Sequence, residues 1–197
     1  MKKNHLILFS ILAVIFLVGT SFVGTYNGLI RLEERVSAVW AQVESVYQRR
    51  LDLIPNLVET VKGYAAHESS TLEAVVQARA NATRVTLPAS AVSDPAQFAK
   101  FQESQAALSG ALGRLLAVAE QYPDLKASQN FLELQAQLEG TENRITVERM
   151  RFNETAQMFN TKLRQFPTNI LGGMFGFKTK EYFKADAVAQ AAPKVKF

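Results

Sequence analysis

The stretch from Tyr26 to Glu68, YNGLIRLEERVSAVWAQVESVYQRRLDLIPNLVETVKGYAAHE, constrains the fold more than any other part of the chain. Leu29, Leu32, Val36, Val39, Val43, Val46, Leu53 and Leu57 recur at helical spacing, and Trp40, Tyr47, Ile54 and Val61 form a second strip beside them. Such a stripe marks one face of a helix. At 1.5 Å per residue, about 40 residues make a rod of roughly 60 Å, which needs partners along its whole length. Two residues disturb the pattern. Pro55 lacks an amide and crowds the preceding turn, so a kink or break is expected near Asp52 to Pro55. Arg50 falls on the apolar seam, where a charge is costly unless paired.

The segment Leu6 to Val23, LILFSILAVIFLVGTSFV, is uncharged, follows Lys2 and Lys3, and precedes any further charge until Arg31. About 20 apolar residues suffice to cross a bilayer. No A-x-A-like cleavage site follows, so the segment reads as an uncleaved anchor rather than a signal peptide. Beyond Gly24 and Gly28 no breaker separates it from the long amphipathic stretch, so the two helices can be continuous. Lys2 and Lys3 favour an inside N-terminus with the body on the outer, periplasmic side, although Arg31 and Arg35 weigh on the other flank.

Further on, Gly63 and HESST indicate a turn, and Ser70-Thr71-Leu72-Glu73 has a capping-box pattern opening a shorter helix to about Arg84. Thr86 to Pro95 reads as a loop, with Asp94 as N-cap and Pro95 at the first helical position of the next helix. That helix carries Phe98, Phe101, Leu108, Leu112, Leu115, Val118 and Ala119 on one face and ends by Pro123. The last long helix has the cleanest periodicity: Phe131, Leu138, Ile145, Phe152, Phe159 and Phe166 are seven apart, flanked by Leu134 and Leu163. A strict seven-residue repeat predicts coiled-coil-like packing, stopped by Pro167. The Ala-rich segment before Pro193 reads as poorly ordered, and PKVKF is the one strand-like run. The expectation is an all-α chain in three parts. Residues 1–25 form a transmembrane anchor, 26–167 an elongated antiparallel bundle of about four helices, and 168–197 a glycine-rich apolar, then basic-aromatic tail.

Several runs together resemble the LemA family of bacterial single-pass membrane proteins. They are YNGLI with Trp40, RRLDLIPNLVETVKGYAAHE from Arg49, YPDLKASQNFLELQAQLEGTENRI from Tyr122, RFNETAQMFNTKLRQFPTN from Arg151, and the closing PKVKF. The resemblance implies a long-helix bundle on a membrane anchor. It implies no agreed catalytic residue, and it places the short N-terminus outside, opposite to what the lysines favour.

Little chemistry is visible. The absence of cysteine excludes disulfides, thiolate metal sites and a lipid-modified cysteine. His67-Glu68 begins like a zinc-protease motif but fails at Thr71, and no phosphate-binding or nucleophile-elbow glycine motif occurs. His5 and His67 are poor partners for a serine triad. Asn143, Asn153 and Asn160 read as exposed or helix-edge residues, with polar specificity positions between helices as the alternative, and Glu33, Glu34, Glu133 and Glu139 as solvated. The formal net charge of +4 resides in Lys2, Lys3 and the five lysines after residue 167, so the body is nearly neutral. That distribution does not suit a nucleic-acid-binding core. No catalytic residue, cofactor or metal is expected.

Two placements follow from an antiparallel bundle. With Leu29 level with Phe166, Arg50 falls level with Ile145, so a buried ion pair of Arg50 with Glu142 or Glu148 is expected; the alternative is an Arg50 that snorkels to solvent. An even number of helices returns the tail to the anchor's end. There Ile170, Leu171, Met174, Phe175 and Phe177, followed by Lys178, Lys180 and Lys184, suit a bilayer interface. Alternatively the aromatics plug the bundle. The function expected is a membrane-anchored scaffold or interaction protein of the cell envelope, in the cytoplasmic membrane, self-associating and in contact with lipid. An adaptor or chaperone-like partner of a membrane protease or envelope complex is the alternative.

Overall fold

A computed structural model of the chain describes residues 2–184; the Ala-rich segment and PKVKF lie outside the described residues. One helix, α1, runs unbroken from Lys2 to Tyr64. From Ile11 onward it contains an 18-residue window with a mean hydropathy of 1.6, none of it buried inside the protein, long and apolar enough to cross a membrane. From Leu29 onward the same helix enters the bundle. The remaining helices are α2 (Ser69–Arg84), α3 (Pro95–Ala119), α4 (Pro123–Lys126), α5 (Gln129–Arg164) and α6 (Thr168–Phe175), with a short 3-10 turn at Ala89–Ala91. Among the described residues there is no strand.

The α1 stripe is covered chiefly by α5, which runs antiparallel to it over nearly its full bundle length. Trp40 meets Phe152 at 5.1 Å between ring centroids, and Arg50 meets Glu142 at 2.9 Å. Ten residues on one helix answer ten on the other, the equal stride of an antiparallel pair. Five members of the seven-residue repeat, Phe131, Leu138, Ile145, Phe152 and Phe159, are buried. Phe166 is the exception at 81% exposure, because α5 ends at Arg164 and the chain leaves the seam before the sixth position.

Two further expectations are corrected. The capping box at Ser70 does not form: α2 starts two residues earlier, with Glu68 rather than Ser70 at the N-cap position and no side-chain cap bond. At α3 the cap is as read. Asp94 accepts from the amides of Ala96 (2.9 Å) and Gln97 (3.1 Å), with Pro95 in the first turn. These bonds, the one to Gln97 first, hold the Asp94 carboxyl below its ordinary value of 3.8. Its contribution to stability is therefore present above that value and lost as pH falls through the lower folded one.

Pro55 neither breaks nor ends α1. A proline at position 55 leaves the carbonyl of Leu51, four residues earlier, without its helical donor. Arg79 of α2 supplies one: its Nε donates to the Leu51 oxygen at 2.9 Å. The gap left by the proline thus becomes a tether between α1 and α2. Arg79→Met should cost about 1–3 kcal/mol in thermal or denaturant unfolding, as a half-buried carbonyl loses its partner. In a Pro55→Ala background, where the residue 55 amide takes that carbonyl, the same substitution should cost less than about 1 kcal/mol.

Candidate functional site

The bundle interior is divided into two apolar clusters. The distal one holds Leu51, Ile54, Leu57 and Val61 of α1 against α2, the second half of α3, α4 and the start of α5. The proximal one, nearer the apolar span, holds Leu29, Val36, Trp40, Val43 and Tyr47 against Phe98, Phe101, Phe152, Phe159 and Phe183.

Between them lies a polar layer centred on Arg50, which is 1% exposed. Its Nη1 donates to Glu142 (2.9 Å) and to Ser109 Oγ (2.8 Å), and its Nη2 to Gln105 Oε1 (2.5 Å). The guanidinium also lies 5.2 Å from the Tyr47 ring centre. Arg50 therefore does not snorkel, and it contacts Glu142 rather than Glu148. The pair is one-sided, since the Glu142 side chain is 51% exposed. Glu148, six residues further along α5 and so turned roughly 120° away, faces the opposite groove and pairs with Arg151 at 2.9 Å. Gln105 and Ser109 were not read from the sequence as partners. The available signal was Gln105 at a core position of α3, between Phe101 and Leu108.

The second constructed feature is a strap, residues 177–184, seated along α1 and α5. Phe177 lies 6.0 Å from the Tyr26 ring, Lys180 Nζ donates to Glu33 at 2.7 Å, and Phe183 stacks on Trp40 at 5.9 Å. On α1 these partners are seven residues apart; on the strap they are three apart. Seven helical residues rise about 10.5 Å and three fully extended residues span about 10 Å, so the two repeats match only if the strap is extended. α5 reads the strap backbone at the same stride. Asn160 accepts from the Lys180 amide (2.8 Å) and donates to its carbonyl (2.9 Å). Asn153 does the same for Phe183 at 2.8 and 2.9 Å. Each carboxamide takes the place of a neighbouring strand, satisfying a donor and an acceptor at once.

The expected membrane-contact residues are thereby divided. Ile170, Met174 and Phe175 are exposed, while Leu171 is buried. Phe177 packs partly against the proximal cluster. Lys180 is buried, with its ammonium 4.9 Å from the Phe159 ring centre. Lys184 donates its amide to Gln102, and the exposed Lys178 stands near Asp94. The three lysines do not form one basic patch. Asn153 and Asn160 are clamps rather than exposed positions, and Glu33 is an ion-pair partner rather than a solvated residue. His67 is exposed, and among the described residues no group of three or more His, Asp or Glu side chains could hold a metal ion.

An apolar helix continuing into a four-helix bundle, closed by a strap that returns beside it, defines a membrane-associated all-helical protein. The chain belongs to the LemA family, which matches residues 39–197. Similar proteins include "Magnetosome protein MamQ 2" of Paramagnetospirillum magneticum, 27% identical over 197 residues, covering 92% of this chain and 72% of that protein. "Magnetosome protein MamQ" of Magnetospirillum gryphiswaldense is 26% identical over 190 residues, covering 88% and 70%. "Protein LemA" of Metamycoplasma hominis is 26% identical over 188 residues, covering 95% and 81%.

Two measurements test these features. Arg50→Met should strand Gln105 and cost about 1–3 kcal/mol, whereas Arg50→Met with Gln105→Leu should cost less than the sum of the two single changes, because an apolar layer leaves no stranded group. Asn160→Ala frees both backbone groups of Lys180, so trypsin should cut after Lys180 faster than in the parent protein while the helical content is retained.

Proposed function

We propose that this protein is a membrane-anchored helical scaffold or interaction protein of the bacterial cell envelope, self-associating and without catalytic activity of its own. The observation that carries this reading is the unbroken course of α1 from Lys2 to Tyr64. Anchor and bundle share one helix without a loop between them, so the bundle stands on the apolar span as a stiff projection. That construction suits holding a surface at a set height. Single-pass insertion in the cytoplasmic membrane, with the bundle on the outer side, rests on Lys2 and Lys3. Lipid and a second copy of the chain are the partners this reading calls for, with no nucleic acid and no cofactor. Relatives named as magnetosome proteins, after a structure rather than a reaction, are in keeping with it.

Self-association is supported by Val147, Met150 and Met158, exposed apolar residues of α5. The same residues favour a second reading as an adaptor for another membrane protein, since methionine-rich surfaces adapt to varied partners. The full chain, purified in detergent with a photocrosslinker at Met150, separates the two. A discrete oligomer crosslinked copy to copy, dispersed by Met150→Asp, supports the scaffold; a stoichiometric foreign protein at that position supports the adaptor. A turnover abolished by one polar substitution would overturn both. Topology is tested by a reporter fused after Phe197: signal from an export-dependent reporter is expected, and signal only from a cytoplasmic one reverses the orientation.

A further inference from the structure

The helix α6 presents apolar residues outward. Thr168, Leu171 and Gly172 form its buried face. On its outward side Ile170 and Met174, four residues apart, are 51% and 68% exposed, Phe175 adds 55%, and Phe166 in the turn before the helix is 81% exposed. No charged residue occurs from Gln165 to Phe177, and Arg164 and Lys178 flank the run. A contiguous apolar patch of this kind in contact with water is unfavourable and marks an interaction surface.

Its position identifies the partner. The Phe175 ring lies 4.7 Å from that of Tyr26, and Tyr26 follows the uncharged run ending at Val23 by three residues, about 4.5 Å along the helix axis. The outward face of α6 is thus level with the end of the apolar span, where headgroups meet acyl chains. Helices lying in that boundary bury an apolar face about 5–10 Å into it, and tyrosine concentrates there.

We propose that α6 is an interfacial foot, its Ile170, Met174 and Phe175 side chains, with Phe166 of the preceding turn, inserted into the bilayer surface beside the anchor. Two glycines hold the foot in place. At Gly172 an added Cβ would overlap the Leu163 side chain, so α6 sits directly on the end of α5. Gly176 adopts a left-handed conformation, φ +74°, that ends α6 and turns the chain into the strap. The lysines do not gather at the foot: Lys180 is committed to Glu33, Lys184 adjoins Phe183 at the level of Trp40, about 21 Å beyond Tyr26 along the helix, and Lys178, at the edge of the foot, stands near Asp94. The foot therefore binds by apolar burial and needs neither anionic lipid nor low salt.

The inference rests on residues 6–23 being a membrane anchor, and its test keeps the two apart. The chain has no cysteine, so Ile15→Cys, Met174→Cys and Met150→Cys variants of the full chain can each carry one fluorophore. They are reconstituted in phosphatidylcholine vesicles containing either doxyl-labelled lipid or external iodide. Labels at positions 15 and 174 should lose fluorescence to the lipid quencher and be shielded from iodide, unchanged by added salt, while position 150 shows the reverse. If position 15 is quenched by lipid but position 174 responds only to iodide, or to neither quencher because a second copy covers it, the foot is wrong and the anchor stands. If position 15 is not quenched by lipid, the anchor reading fails and the foot fails with it.

Discussion

The structure depends on covering one helix. Beyond the apolar span, α1 carries its stripe for nearly 40 residues, and the rest of the chain supplies the elements that cover it. The antiparallel partner α5 matches its length. The hairpin of α2 and α3 closes the distal half, where Arg79 caps the carbonyl freed by Pro55. In the proximal half α2 has already ended, and loop residues Leu87 and Val92 with the strap take over. Trp40 marks the changeover: its indole donates to the Leu87 carbonyl at 2.8 Å while its ring stacks on Phe183. A 16-residue α2 could not reach the membrane end, so the tail must return.

The polar layer at Arg50 sits where these two modes of covering meet. A buried guanidinium contributes little net stability, because desolvation offsets most of its attraction to Glu142. What it constrains is register. Two long apolar helices can slide by a turn at modest cost, but a slide would separate Arg50 from Gln105, Ser109 and Glu142 together and leave the buried guanidinium and the Gln105 carboxamide unpaired. The strap imposes a second register on the same pair of helices. Phe177, Lys180 and Phe183 fit only when Tyr26, Glu33 and Trp40 of α1 stand opposite Phe159, Asn160 and Asn153 of α5.

The helices were legible in the sequence wherever local rules decide them. The Asp94-Pro95 start of α3, the long stripe of α1 and five positions of the α5 repeat follow from periodicity and capping chemistry alone. Except at Phe166, where the helix ends locally one turn early, the misreadings at Pro55, Asn153 and Asn160 share a cause, which is that a tertiary partner altered what a residue does. Pro55 reads as a helix breaker until Arg79 replaces the missing donor. Phe166 reads as a seam residue until Pro167 ends the helix short of it. Asn153 and Asn160 read as edge residues because a carboxamide clamp needs a backbone that arrives from 20 to 30 positions further along the chain. Arg50 could be assigned an acidic partner from register alone, but its choice of Glu142 depended on the rotation of α5, which a count of residues per turn leaves open by about half a helix face.

The ends of the molecule carry the functional argument. A loop between anchor and bundle would let the bundle tumble freely over the membrane; the continuous α1 couples its tilt to that of the span. A single helix still permits rotation about its own axis and bending at its exit from the bilayer. The chain restricts both by bringing α6 back to Tyr26 and fastening it with the strap along α1 and α5. If the face of α6 meets the bilayer as proposed, two contacts at the base of the rod define an orientation where one defines only an attachment. On the proposed reading, in which Val147, Met150 and Met158 meet neighbours on the same membrane, this construction favours association, because partners held in one plane meet already aligned and lose less rotational freedom.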